Sequence, residues 1–240
     1  NFVFYESDFV HPISDSMFKK YFNDKIKNKS FPISESGTMS FIKNFDMSSR
    51  LNTRDFYYIG TFGVLRELEF LINSFKLVAD KNKEARLILV GWSDHDGDQK
   101  RLVKCAHENG ISSRVKFIPK VEYSKLPELL NKAFAGVSPI PPKKIYMIST
   151  PTKVIDYMSL GLPTVCNKEI MDQSNLINYS SGGLTPSYKE KEFSKAMIWL
   201  INNPKEARKM GLNARKWILE KRNYKNLALD LNHRYNKLIS

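Results

Sequence analysis

From residue 56 to residue 166 the chain alternates between short apolar runs of β-forming residues and amphipathic stretches of helix length. The run FYYIG (56–60) ends on a glycine, RLILVG (86–91) is almost wholly apolar, and RVKFIP (114–119), AGVSPI (135–140) and PTVC (163–166) follow. Between them, residues 65–80 set Leu68, Leu71, Ile72, Phe75 and Val78 at helical spacing. QKRLVKCAHENG (99–110) reads as a helix stopped by Gly110, and SKLPELLNKAF (124–134) as a shorter one. A strand with no polar alternation belongs where both of its faces are covered. Strands and helices alternating through short connections therefore predict the α/β class, a parallel sheet with flanking helices and right-handed crossovers.

The two ends of the chain read differently. After SSGGL (180–184) only helices are expected: residues 190–202, closed by Asn203 and Pro204, then EARKMGLNARKWILEK (206–221), then a last one from Tyr224 with Leu227, Leu231 and Leu238 along one stripe. At the other end, DFVHPIS (8–14) resembles the end of a strand and DSMFKKYF (15–22) a helix, while NKSFPISESGTMSFIKN (28–44) has the Ser, Asn, Gly and Pro content of a linker. A single β-α step cannot bury its own apolar faces. It either packs on the main sheet or is the tail of another domain, which divides the chain into residues 1–50 and 51–240.

Hydrophobic residues make up 42% of the 240, enough for a packed core, and no apolar run approaches the roughly 20 residues of a membrane-spanning helix. The first residues show no basic stretch leading into an apolar one, so no signal peptide is expected. Cys105 and Cys166 sit in apolar settings and read as free thiols, which fits a reducing cytoplasm. The formal charge of +13 suits nucleic acid, an anionic membrane face or a phosphate-bearing substrate, or reflects only a Lys-rich background. The basic residues are spread along the chain with no recognisable nucleic-acid module, so nucleic acid is not expected as a partner. No P-loop, G-x-G-x-x-G or Ser-His-Asp arrangement is present.

The stretch STPTKVIDYMSLGLP (149–163) is a helix with both ends written out. Ser149 or Thr150 is placed to cap it, Pro151 suits the first helical position, Gly161 suits a left-handed C-terminal cap, and Pro163 blocks continuation. Its N-terminus follows a strand, at the sheet edge where open α/β folds bind ligands. Free amides and the positive end of the helix dipole make an anion site there. Lys153 in the first turn either shares an anion with the helix end or merely faces water or pairs with Asp156. The helix alone leaves both readings open, as it does for Asp156, which is either a ribose acceptor or a solvated carboxylate.

Here the residues become recognisable. SPIPPKKIYMISTPTKVIDYMSLGLPTVC (138–166) resembles the signature block of the retaining group 1 (family 4) glycosyltransferases of GT-B fold, with Pro151, Lys153, Tyr157, Met158, Gly161 and Pro163 matching. YYIGTFGVLRELEFLINSF (57–75), ARLILVG (85–91), ISSRVKFIPKVEYSKLPELLNKAFAGVSP (111–139) and NNPKEARKMGLNARKWI (202–218) resemble further blocks in the same order. The resemblance covers about residues 52–222 and implies a Rossmann-like donor-binding half. Residues 7–44 resemble the last strand and helix of the N-terminal domain and the interdomain linker, so the resemblance implies a missing N-terminal half or a partner subunit that supplies it.

The same resemblance implies roles. Arg66, Lys153 and the amides of Ser149, Thr150 and Thr152 receive the donor diphosphate; Asp156 holds the ribose; Phe117, Pro119 and Val121 mark the loop that cradles the base; Gly60 and Thr61 allow close backbone approach. The substrate is a UDP- or GDP-linked sugar, no separate cofactor is used, and no metal sits at the donor. Asp94, His95 and Asp96 accordingly read as a polar loop, and His11 as a packing or surface residue. The catalytic groups are expected mainly in the missing domain. The acceptor is expected to be a glycan or lipid-linked molecule in surface polysaccharide or glycolipid synthesis, reached in the cytoplasm or at the inner face of an anionic membrane. SSGGL either borders the sugar pocket or is an ordinary loop. Four positions depart from the pattern: Thr61 replaces a second basic residue, Ile148 replaces the first Glu of E-x7-E, Asp156 shortens the second, and Pro119 replaces a glycine. Ile148 and the missing domain favour, as the alternative, a catalytically silent nucleotide-sugar-binding subunit that needs a partner chain.

Overall fold

The computed structural model describes residues 36–46 and 53–239. The readings made for residues 8–22, and His11 with them, lie outside the described residues. Six parallel strands form one sheet: β1 Asp55–Thr61, β2 Arg86–Trp92, β3 Val115–Pro119, β4 Ala135–Ser138, β5 Thr164–Cys166 and β6 Gly183–Leu184. Their order is β3-β2-β1-β4-β5-β6. The chain builds outward from β1 to β3, then crosses back to lay β4 on the other side of β1. The described helices are α1 Met39–Lys43, α2 Glu69–Lys81, α3 Asp96–Glu108, α4 Leu126–Leu130, α5 Thr152–Ser159, α6 Met171–Ser180, α7 Glu190–Asn202, α8 Pro204–Lys221 and α9 Tyr224–Ile239. The α/β class, the five expected strands and the run of helices after the sheet are all present.

The apolar strands bury both faces. Phe56, Tyr58, Leu87 and Leu89 pack in one layer with Leu71, Ile72 and Phe75 of α2 and with Phe193 and Met197 of α7. Tyr57, Ile88 and Val90 point the other way, into a layer with Leu126 and Leu130 of α4 and Tyr157 and Leu160 of the α5 region. Each fully buried large side chain contributes about 1.5–3 kcal/mol, so the two layers carry the fold.

Two expectations change. Residues 28–44 read as a linker, yet their second half forms α1, whose Phe41 is fully buried against the Tyr157 layer. Gly37 N–H donates to the Arg222 carbonyl at 2.8 Å, and Arg215 donates to the Ile42 carbonyl at 2.8 Å. Residues 36–46 are therefore a strap bound across α5 and α8. One buried aromatic outweighs a Ser- and Gly-rich composition. SSGGL was expected at the ligand edge of the sheet. Instead α6 returns the chain to the opposite edge, and Gly183 begins β6 beside Thr164, the first residue of β5. A two-residue strand that starts on glycine carries no pattern to read.

The position of α5 depends on one glycine and one tyrosine. A Cβ on Gly136 would lie 2.3 Å from the Tyr157 ring, so glycine lets that ring lie on β4. The Tyr157 hydroxyl then accepts the Ile59 N–H at 3.0 Å. Ile59 lies beyond the β1–β4 pairing, which involves Phe56 and Tyr57. Tyr157→Phe would leave that enclosed amide without its acceptor. We expect a loss of about 1–3 kcal/mol in a urea titration, with an unchanged m-value.

Candidate functional site

A cleft of about 610 Å³ opens at the C-terminal ends of β1 and β2 and beside the loop that follows β4. The order of the strands reverses between β1 and β4, and the crevice at such a reversal is where open α/β sheets take ligands. Of the sequence-derived candidates, Gly60, Thr61, Arg66, Val121, Ser149, Thr150, Thr152, Lys153 and Asp156 all line this cleft.

The N-terminal end of α5 faces it. Pro151 is the N-cap residue and Thr152 the first helical one, and no side chain caps the helix. This differs from the expected hydroxyl cap. The Ser149 hydroxyl donates to the Tyr146 carbonyl at 2.7 Å, and the Thr150 hydroxyl donates to Asp172 at 2.8 Å. Both hydroxyls are engaged elsewhere, so the first-turn amides keep their positive polarity for the cleft. The other end is closed as the sequence indicates. Gly161 has φ +63°, its N–H donates to the Met158 carbonyl at 2.9 Å, and Leu162 N–H donates to the Tyr157 carbonyl at 2.9 Å.

Two cations meet at this helix end. The Lys153 ammonium lies 4.0 Å from the centre of the Tyr58 ring. Gly60 makes room for it, since a Cβ there would stand 3.0 Å from Nζ and 2.9 Å from the Tyr58 hydroxyl. Arg66 sits on the 3-10 turn Val64–Arg66 directly after β1. Its Nε donates to the Thr61 hydroxyl at 3.3 Å, and its guanidinium lies 5.0 Å from the centre of the Tyr146 ring. Thr61, where the resembled family has a second basic residue, thus orients the basic residue that is present. Among the described residues neither Lys153 nor Arg66 forms an ion pair with a carboxylate. Burial first, and the Arg66 charge second, push the Lys153 pKa down to about 7. An anion placed between these groups would offset both effects by direct attraction and raise the Lys153 pKa.

Asp156 is 7% exposed and one turn further along α5. Its Oδ1 accepts the Tyr123 hydroxyl at 2.7 Å. Burial and the Asp156 carboxylate raise the Tyr123 pKa, so the phenol keeps its proton and stays a donor. The base-loop expectation divides. Val121 lines the cleft, but Phe117 turns inward, its ring edge-on to Phe62 at 6.1 Å, and Pro119 ends β3 opposite Gly91. Strand alternation sends Phe117 into a core layer, out of reach of the sheet edge. Trp92 and Lys120 form that wall instead, with the Lys120 ammonium 4.4 Å from the Trp92 ring centre.

Tyr58, Trp92, Lys120 and Tyr123 were not singled out by sequence. Tyr58 reads as one more core aromatic, and no spacing rule links Tyr123 to a carboxylate 33 positions away. The SDHDGD stretch (93–98) closes on itself, with the Ser93 hydroxyl donating to Asp98, and α3 begins within it. Among the described residues no group of three or more His, Cys, Asp or Glu side chains is placed to hold a metal ion.

The family model described as "Glycosyl transferases group 1" matches residues 42–217. No curated protein matches the sequence significantly. Among solved structures, sucrose-phosphate synthase from Thermosynechococcus elongatus superposes with TM-score 0.77 at 18% identity, over 99% of this chain and 60% of that one. HepE from Anabaena, solved with UDP, gives 0.71 at 14% identity, over 96% and 64%. TarM from S. aureus, solved with UDP, fondaparinux and alpha-GlcNAc-glycerol, gives 0.72 at 15%, over 95% and 44%. The chain thus spans between 44% and 64% of the length of these three structures. At such identities they establish the fold.

The enclosed, unpaired Lys153 should cost the unliganded protein stability. Its folded pKa of about 7 lies below the ordinary lysine value of 10.5, so the unfolded chain binds more protons between them, and stability rises with pH across that window. Lys153→Met is expected to raise the melting midpoint at pH 6 by several degrees. That gain should shrink steadily from pH 7 to pH 10 in thermal melts.

Proposed function

The chain belongs to the group 1 glycosyl transferases, and from that premise we propose that it is the donor-binding half of a retaining enzyme that transfers a sugar from a nucleoside diphosphate. The observation that carries this reading is the pair of unneutralised cations at the open N-terminal end of α5. The diphosphate lies across the Thr152 and Lys153 amides, with the Lys153 ammonium on one side and the Arg66 guanidinium on the other. As the bond to the sugar breaks, negative charge grows on the leaving diphosphate, and donors already in place stabilise it without reorganisation. These charges do the work that a metal ion does in other transferases. Asp156 accepts hydroxyl protons of the ribose. The base rests against Val121, Lys120 and Trp92, at the wall where Phe117 and Pro119 were expected to contribute.

UDP, which the HepE and TarM structures contain, is the ligand to try first, with GDP as its comparison. The acceptor is a glycan or lipid-linked molecule of surface polysaccharide or glycolipid synthesis, met with the help of an N-terminal half or partner chain. The net charge of +13 suits peripheral contact with an anionic inner membrane face. No described helix is long and apolar enough to cross a membrane. Co-sedimentation with vesicles should increase with their content of acidic lipid, and indifference to that content would remove this part of the reading.

A second reading is supported by Ile148, an apolar side chain where the resembled family carries a carboxylate. On this reading the chain is a nucleotide-sugar-binding subunit that does not catalyse. It predicts donor binding with no sugar transfer even when the complementary half is supplied.

Both readings share one test. Arg66→Ala and Lys153→Ala should each weaken nucleoside diphosphate binding by at least about 1.5 kcal/mol, roughly tenfold, the scale of a charge-assisted hydrogen bond. Calorimetric titration of the two variants that matched the parent chain would remove the site. Binding of an intact UDP-sugar near pH 8 should also take up protons as Lys153 recharges, seen as a dependence of the heat on the buffer's ionisation enthalpy.

A further inference from the structure

We propose that Tyr123 is the positioning residue of the ribose site, fixing the shortened Asp156 carboxylate toward the cleft and tying it to the strap. This rests on the reading of Asp156 as the ribose partner and goes one step beyond it. Tyr123 occupies the 3-10 turn Tyr123–Lys125, across the cleft from α5. Its phenol donates to Asp156 Oδ1 at 2.7 Å. Its ring lies 4.9 Å from that of Phe41, which is fully buried, and its hydroxyl is also hydrogen-bonded by the Thr38 side chain. Two contacts from residues 36–46 therefore hold the phenol, and the phenol holds the carboxylate.

The chemistry explains why such a support is useful. Aspartate in place of glutamate withdraws the carboxylate by one methylene toward the α5 backbone. A short side chain that must meet a ribose hydroxyl has little slack, so its rotamer has to be set in advance. A neutral phenol does this without cancelling the charge, whereas a cation at the same place would compete with the ribose for it. The tyrosine and the aspartate thus act as one unit.

The test compares UDP and GDP with their 2′-deoxy forms, titrated into the full chain and its Tyr123→Phe, Asp156→Asn and doubly substituted variants. The parent chain should prefer the ribonucleotide by roughly tenfold, the scale of one hydrogen bond to a charged group. Tyr123→Phe should cut that preference to about threefold or less while 2′-deoxynucleotide affinity, which keeps only the 3′-hydroxyl contact, falls by less than ribonucleotide affinity, an outcome that general loss of structure would not produce. The double variant should lose no more than Asp156→Asn alone, because the phenol acts through the carboxylate. If Asp156→Asn removes the preference but Tyr123→Phe keeps it, the positioning role is overturned and the ribose assignment survives. If Asp156→Asn also keeps it, the ribose assignment itself is overturned.

Discussion

Two positive charges that nothing in the described structure neutralises face one space at the N-terminal end of α5. Lys153 is half-buried, and burial and the nearby Arg66 charge both depress its pKa. Tyr58, Gly60 and Thr61 hold the two cations at the cleft, where the helix amides add polarity of the same sign. A folded protein tolerates this arrangement only because other parts of the molecule supply the stability it removes.

Much of the remaining structure fixes where α5 points. Tyr157 lies over Gly136 and reaches the Ile59 amide, joining the helix to β4 and β1 at once. At the far end, Gly161 and Gly211 let α5 and α8 approach so closely that a Cβ on Gly211 would fall 2.1 Å from the Gly161 carbonyl oxygen. Arg215 of α8 donates to the Ser159 and Ile42 carbonyls, closing orphan acceptors on α5 and on the strap with one side chain. The strap in turn places Phe41 in the Tyr157 layer. A small shift of α5 would disturb all of these contacts together, so the donor end of the helix is held by packing at some distance from it.

This division of labour accounts for the departures from the family pattern. Thr61 carries no charge but accepts from Arg66, so one basic residue is better oriented where a second is absent. Asp156 is shorter than the glutamate it replaces but is buttressed by Tyr123. Thr61 and Asp156 are thus each tied to a neighbour at the cleft. Ile148 has no such tie among the described residues, so the proposed binding rests on several contacts at the cleft while the proposed transfer step rests on none of them.

The amino-acid sequence alone determined the α/β class, five of the six strands, and the glycine stop of α5. Those features are local: apolar runs without alternation, and glycine where the chain must turn left-handed. The resemblance, and not spacing by itself, pointed to Arg66, Lys153 and Asp156, and the fold brings all three to one cleft. Tertiary structure decided what no local pattern encodes. It fixed the strand order that opens the crevice between β1 and β4 and turned Phe117 inward, leaving the wall to Trp92 and Lys120. It drew Ser149 and Thr150 away from the cap, buried Phe41 of a linker-like segment, and brought Tyr123 to Asp156 across 33 residues. The reason is that these outcomes depend on distances between segments far apart in the chain, which are set by how two core layers close on one sheet.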